Sequence, residues 1–142
     1  MIGGLLIEFV NFKHLAEDTG QILIDQHVFK EIIKKSKITK EEVTASGEYA
    51  FKKWNFLLNL NGDNRSFLII LRTLFNWARY GKYVEYIRDD QVQMRVHHEF
   101  GEAWSDFLIN YIIGGYNGMF NPKISEANFL RGEDGFTFIM PK

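Results

Sequence analysis

Hydrophobic and polar positions fall into a succession of helical and strand-like periods along this chain. From Asn11 to Ser36 the spacing is helical, in one or two pieces, with Phe29, Ile32 and Ile33 on one stripe and Lys30, Lys34 and Lys35 off it. Thr39 with Glu42 forms a capping-box pattern, in which a hydroxyl and a carboxylate satisfy each other's orphan backbone N–H groups. It opens a helix running to about Leu60, with Val43, Ala50, Trp54, Leu57 and Leu58 near one face and Asn61 or Gly62 as the left-handed stop. Asn64 or Ser66 is positioned to cap a helix from Phe67 to Tyr80, ended by Gly81. That helix is apolar on nearly every side, so it is expected to be central or to be covered by a second subunit. Arg72 and Arg79 lie on its one wet face.

The second half changes period. Tyr83 to Ile87 reads as a strand, Asp89-Asp90 as a tight turn and Gln91 to Phe100 as the hairpin partner. Val92, Met94, Val96, His98 and Phe100 alternate with Gln91, Gln93, Arg95, His97 and Glu99, giving one packed face and one face toward water or a ligand. Trp104, Phe107, Leu108, Tyr111 and Ile112 then follow at i, i+3, i+4, i+7 and i+8, the strongest helical signature in the chain. Gly114, Gly115 and Gly118 either permit close approach of a neighbouring element or end this helix. After Asn121-Pro122 a strand is expected from Ile124 to Leu130, then a Gly-containing turn over Arg131 to Gly135, then a last strand carrying Phe136, Phe138 and Met140. A short apolar run from Ile2 to Phe9 leaves strand and helix both open. The expected fold class is α+β: a helical N-terminal half packed on a small antiparallel sheet, with a hairpin–helix–hairpin module at the C-terminal end.

At 142 residues, with only Pro122 and Pro141 and no low-complexity linker, residues 1–142 are expected to form a single domain. The aromatic share is high, at 15%, and bulky rings either fill a core or line an apolar cavity. The formal net charge of -1 offers no electrostatic footprint for nucleic acid. The Lys30, Lys34, Lys35, Lys37 and Lys40 cluster reads more simply as a solvated helix face than as a phosphate- or partner-binding patch. No stretch approaches the ~18 uncharged apolar residues of a membrane span, and the N-terminal run lacks the basic residues of a secretory signal. The expectation is a cytoplasmic protein with its N-terminus intact. The absence of Cys removes disulfides, thiolate metal sites and cysteine nucleophiles together.

The order of helix, Gly81, hairpin, amphipathic helix, Gly-Gly, strand, Gly turn and Phe-x-Phe is carried by Val92, Met94, Val96, Trp104, Phe107, Leu108, Ile112, Gly115, Gly118, Phe120, Gly132, Phe136 and Phe138. Over the C-terminal 60 to 75 residues it resembles the ligand-binding core shared by 4-vinyl-reductase-type domains, haem-nitric-oxide-binding domains and related vesicle-tethering subunits. The resemblance implies an α/β domain with an apolar cavity, often dimeric, for a small hydrophobic molecule or a partner. The chain departs from it where the cofactor chemistry would lie. The Phe67 to Tyr80 helix holds no His to ligate haem, and Val96-His97-His98-Glu99-Phe100 stands where a Tyr-x-Ser-x-Arg motif would hold the propionates. The cysteine cluster of the reductase branch is missing. No haem and no other cofactor is therefore expected.

The chemistry-bearing residues are few. His97 and His98 point to opposite strand faces and so cannot readily share a metal; His98 reads as a core, interface or ligand-anchoring histidine. A His97/His98 site with Glu102 and Asp106 is the metalloenzyme alternative, although acidic residues in a first helical turn are already explained by the macrodipole. There is no Gly-x-Ser-x-Gly elbow, and Gly114-Gly115-Tyr116-Asn117-Gly118 follows a helix where an anion-binding loop precedes one. The leading expectation is a non-enzymatic domain, homodimeric, holding a small apolar molecule against Trp104, Phe107, Tyr111 and Phe75, with His98 as the polar contact. An interaction subunit of a larger assembly is the alternative, and neither a catalytic residue nor a metal site is expected.

Overall fold

A computed structural model describes residues 24–142 together with Lys13, His14 and Glu17, the side chain of Trp77 excepted. Lys13, His14 and Glu17 are helical, as the period from Asn11 onward predicts; the strand-or-helix alternative for Ile2 to Phe9 lies outside the described residues.

Three of the described helices start at a side chain that takes up orphan N–H groups. Helix α1 (Gln26–Lys35) begins at Asp25, whose carboxylate accepts from the His27 and Val28 amides at 2.9 and 3.2 Å. Helix α2 (Lys40–Leu57) opens on the expected capping box, with the Glu42 amide on Thr39 Oγ1 at 3.2 Å and the Thr39 amide on Glu42 Oε2 at 2.8 Å. Its left-handed exit uses Asn59 and Gly62, with φ of 52° and 73°. Helix α3 (Asn64–Trp77) is capped by Asp63, one residue before Asn64 and three before Ser66, the two expected caps. Ser66 returns the favour, accepting from the Gly62 amide at 3.1 Å while its own amide donates to Asp63 Oδ1 at 2.8 Å.

Two expectations for α3 are corrected. The helix ends at Trp77 and Arg79 lies beyond it with φ of 53°, so Arg72 and Arg79 do not share a helical face. Arg72 instead makes a bidentate pair with Glu85, Nε to Oε1 at 2.8 Å and Nη2 to Oε2 at 2.6 Å, tying α3 to the first strand. The helix is also less uniformly covered than its apolar sequence implies. Phe67, Ile70, Leu71, Leu74 and Phe75 are buried, while Asn64, Arg65, Arg72 and Asn76 are exposed. No large apolar side chain described on α3 is exposed, so its own core covers it.

Strands β1 (Lys82–Arg88) and β2 (Gln91–His97) form the first hairpin, and β3 (Phe129–Gly132) and β4 (Gly135–Ile139) the second. All pairings are antiparallel, in the order β1-β2-β4-β3, so the fold class is α+β as expected. Met94, Val96, Phe136, Phe138 and Phe129 are buried on one face of the sheet. The expected strand from Ile124 to Leu130 begins only at Phe129. Asn117 holds the Ile124 backbone from both sides, accepting its N–H at 2.7 Å and donating to its carbonyl at 3.0 Å. Ser125 then caps a 3-10 turn over Glu126–Asn128. Local side-chain bonds thus occupy backbone groups that a strand would need.

Between the hairpins runs α4 (Glu102–Met119), buried continuously from Leu108 to Tyr116. It is the central helix of the fold. Gly114, Gly115 and Gly118 lie within it, so close approach and not termination explains them. A Cβ on Gly114 would meet the Thr44 carbonyl oxygen at 1.9 Å, and one on Gly47 of α2 would meet the Tyr111 carbonyl oxygen at 2.1 Å. The two backbones touch, and only hydrogen fits at either crossing point.

Candidate functional site

The stripe of α4 formed by Ala103, Asp106, Phe107 and Asn110, at i, i+3, i+4 and i+7, leaves a half-open groove of about 470 Å3. Ile33 of α1, Ser36 and Ile38 of the following loop, and Lys40 and Val43 of α2 form the opposite wall; Glu126 and Arg131 complete the rim. This volume lies within the roughly 300–1,000 Å3 of small-molecule sites. Ile33, Ile38, Val43, Ala103 and Phe107 supply an apolar patch, and Ser36, Asn110 and the charged residues make up the rest of the lining. Phe107 is held rigidly by the sequence spacing that placed it, stacked between Trp104 at 4.9 Å and Tyr111 at 5.7 Å between ring centroids.

The charged rim is internally paired. Lys40 donates to Glu126 and Arg131 to Asp106, while Arg131 Nη2 also lies 3.8 Å from Glu126 Oε2. The Lys40 hydrogen bond holds the Glu126 carboxyl below the usual carboxylate range. Arg131 reaches this rim from the edge strand β3, opposite Phe136 in the register and therefore on the sheet face that meets the helices.

Asn110 is the unusual member of the groove. It is 7% exposed, and its Nδ2 donates to the Asp106 carbonyl at 2.8 Å, one turn upstream. Its Oδ1 is buried with no hydrogen-bond partner. The donor bond assigns the amide orientation, because the flipped amide would set two oxygens against each other. A buried acceptor left unpaired costs about 1–3 kcal/mol, so it marks either tolerated strain or a contact completed by something else. Sequence periodicity passed over Asn110; the available signal was a lone polar residue inside the apolar run from Phe107 to Ile113.

The other proposed contact residues lie in the core. Trp104 is buried between helix and aromatic neighbours, edge-on to Phe29 at 4.8 Å and to Tyr80 at 5.5 Å, with Nε1 donating to the Tyr80 carbonyl at 2.9 Å. Phe75 stacks on Tyr83 at 5.1 Å with ring planes 9° apart. Tyr111 packs against Phe51, and burial pushes its phenol above the ordinary range. Of the proposed set Phe107 lines the groove, and the structure does not bring Phe75 or His98 to it.

His98 is buried, and both ring nitrogens are engaged. Nδ1 accepts from the Phe100 amide at 3.2 Å, so the neutral ring carries its proton on Nε2 and donates to Ser105 Oγ at 2.7 Å. A serine nucleophile would need the reverse, with Nε2 free to take the hydroxyl proton. The pair is therefore a structural bond joining β2 to α4. Burial, together with the neighbouring His97, pushes the His98 imidazole below its ordinary value. Among the described residues no group of three or more His, Asp or Glu is placed to hold a metal ion, and Asp106 is committed to Arg131. No described helix is long and apolar enough to cross a membrane. No protein-family model, curated protein or solved structure matches the chain.

Proposed function

We propose that this protein is a non-enzymatic binding domain that holds a small, largely apolar molecule in the groove between α4 and the α1–α2 connection. The observation that carries this reading is a half-open space of ligand size in which Ile33, Ile38, Val43, Ala103 and Phe107 form an apolar patch beside a rim of charges paired with one another. The polar groups around it suit binding more than turnover, because the carboxylates of Asp106 and Glu126 are taken up by Arg131 and Lys40. The likeness of the hairpin–helix–hairpin module to ligand-binding cores supports the same reading, with the helical half supplying the far wall. Native mass spectrometry of gently purified protein, with solvent extraction of any bound compound, tests it. A reproducible adduct that shifts the methyl resonances of Ile33, Ile38 and Val43 is expected. Consistently empty protein whose groove resonances stay unmoved across a fragment screen would overturn it.

A second reading, an interaction subunit, draws on a different observation. Val28 and Ile32, one turn apart on α1, are 48% and 50% exposed, and Ile24, two residues before the helix, is 44% exposed. The α3 helix, the first candidate for such a surface, is covered by its own core. Sedimentation of a monomer at low micromolar concentration would count against this alternative and against a homodimer alike.

A further inference from the structure

Helix α1 lies on the outside of the molecule, and none of its residues is fully buried. Phe29 and Ile33 turn toward the core, Phe29 edge-on to Trp104 and Phe100 at 4.8 and 5.5 Å between ring centroids. Val28 and Ile32 stand beside them, half exposed, and Lys35 shares their face at i+7 and i+3. Ile38, also half exposed, carries the apolar surface on to the mouth of the groove. Lys30, Lys34, Lys35, Lys37 and Lys40 lie in the same segment against two acids, Asp25 and Glu31, in a chain whose formal net charge is -1.

We propose that this segment seats on an anionic lipid surface. Helix α1 lies in the plane of the headgroups, Val28 and Ile32 enter the boundary with the acyl chains, and the lysines meet lipid phosphates and carboxylates. The residue types favour lipid over other partners. From Ile24 to Lys40 the exposed large apolar side chains are all Ile or Val, the cations are all Lys, and there is no Arg and no exposed Phe, Tyr or Trp. Protein interfaces are depleted of Lys and anchored by aromatic rings and Arg, and nucleic acid is read by Arg and stacked rings. A lipid surface instead takes aliphatic side chains and flexible cations whose stems run along apolar surface to the headgroups. The charge is available. Lys35 and Lys37 make no ion pair with a described residue. The pair of Lys34 with Glu31 is exposed, so it gives up little when a phosphate approaches. The inference rests on α1 and its following loop alone and stands apart from the groove's occupancy.

Vesicle co-sedimentation of the full chain tests this, with phosphatidylcholine alone and with about one part in three of phosphatidylserine. The expected result is partition onto the mixed vesicles, weakened by rising salt, and little onto phosphatidylcholine alone. Two double variants probe the two components: Val28→Asp with Ile32→Asp, and Lys35→Glu with Lys37→Glu. Each is expected to lower the partition coefficient by at least about tenfold. All four positions are exposed, so both variants are expected to keep the parent's circular dichroism spectrum. Absence of binding to the mixed vesicles overturns the proposal, and equal binding to both compositions overturns its anionic component. Undiminished binding of the Val28→Asp, Ile32→Asp chain also overturns it, since a purely electrostatic contact needs no apolar stripe. If the same substitutions dissociate an oligomer in the absence of lipid, a second copy covers the stripe and the proposal fails. The comparison of the two vesicle compositions on the unaltered chain decides the matter even where a variant does not fold.

Discussion

Gly114 of α4 lies so close to Thr44 of α2 that a Cβ at position 114 would sit 1.9 Å from the Thr44 carbonyl oxygen. The reciprocal contact of Gly47 with the Tyr111 carbonyl makes this a crossing of two bare backbones. It draws α2 against α4 where the groove's two walls converge, since Val43 and Asn110 stand one position and one turn away from the contact. Alanine gains about 1 kcal/mol of helix propensity over glycine, but the clash here is with backbone, which cannot step aside as a flexible side chain can. Gly114→Ala is therefore expected to destabilise the protein by about 3 kcal/mol in urea unfolding. An unchanged or higher unfolding midpoint would show that the helices separate without penalty.

The unpaired Asn110 Oδ1 predicts the opposite sign. Leucine is close in shape to asparagine, and replacing an unsatisfied buried amide removes its desolvation cost. The Asp106 carbonyl keeps its helical partner when Nδ2 is lost. Asn110→Leu is expected to raise the stability of the free protein by about 1 kcal/mol. A loss of more than about 1 kcal/mol would mean that Asn110 is satisfied within the protein.

His98 supplies a pH dependence with a definite direction. Its folded pKa is lowered, by burial first and by His97 second, so the unfolded chain binds the proton more readily. The stabilisation from the neutral ring is fully present above the ordinary imidazole value of about 6.5 and is lost as pH falls through the lower folded value. Protonation would place a hydrogen on Nδ1, opposite the Phe100 amide that now donates to it. Unfolding free energies measured between pH 7.5 and 5 are expected to decline more steeply for the parent protein than for His98→Asn. Parallel slopes for the two would remove His98 as the cause.

The β1–β2 turn carries a separable strain. Asp89 and Asp90 both sit in the left-handed region, with φ of 51° and 59°, as the two-residue turn between antiparallel strands requires. Glycine adopts this conformation without the Cβ penalty, so Asp90→Gly is expected to stabilise the protein by about 0.5–1 kcal/mol. Thermal unfolding checks this; a lower midpoint would mean that the Asp90 side chain contributes more than its backbone strain costs.

Much of this fold is written locally. The capping box of Thr39 and Glu42, the Asp89-Asp90 turn, the alternation from Val92 to Val96 and the helical spacing of Trp104, Phe107, Leu108, Tyr111 and Ile112 all reappear in the structure, because each depends on contacts within a few residues. The errors arise where a side chain some residues away intervenes. Asn117 takes the Ile124 backbone out of its expected strand, and Glu85 ties Arg72 to the first strand. Aromatic content identified rings without separating those that fill a core from those that border a space, since Trp104 and Phe107 have the same spacing signal and different surroundings.

By itself, then, the sequence determined an α+β chain of amphipathic helices and two hairpins, because period and capping are properties of neighbouring residues. Which helix is central was decided by the glycine contacts between α2 and α4, and these exist only when two distant segments meet. The groove was decided in the same way. Its walls come from α1, α2, α4, the 3-10 turn and β3, and neither the pairing of its four charges nor the isolation of Asn110 Oδ1 exists until those elements pack together.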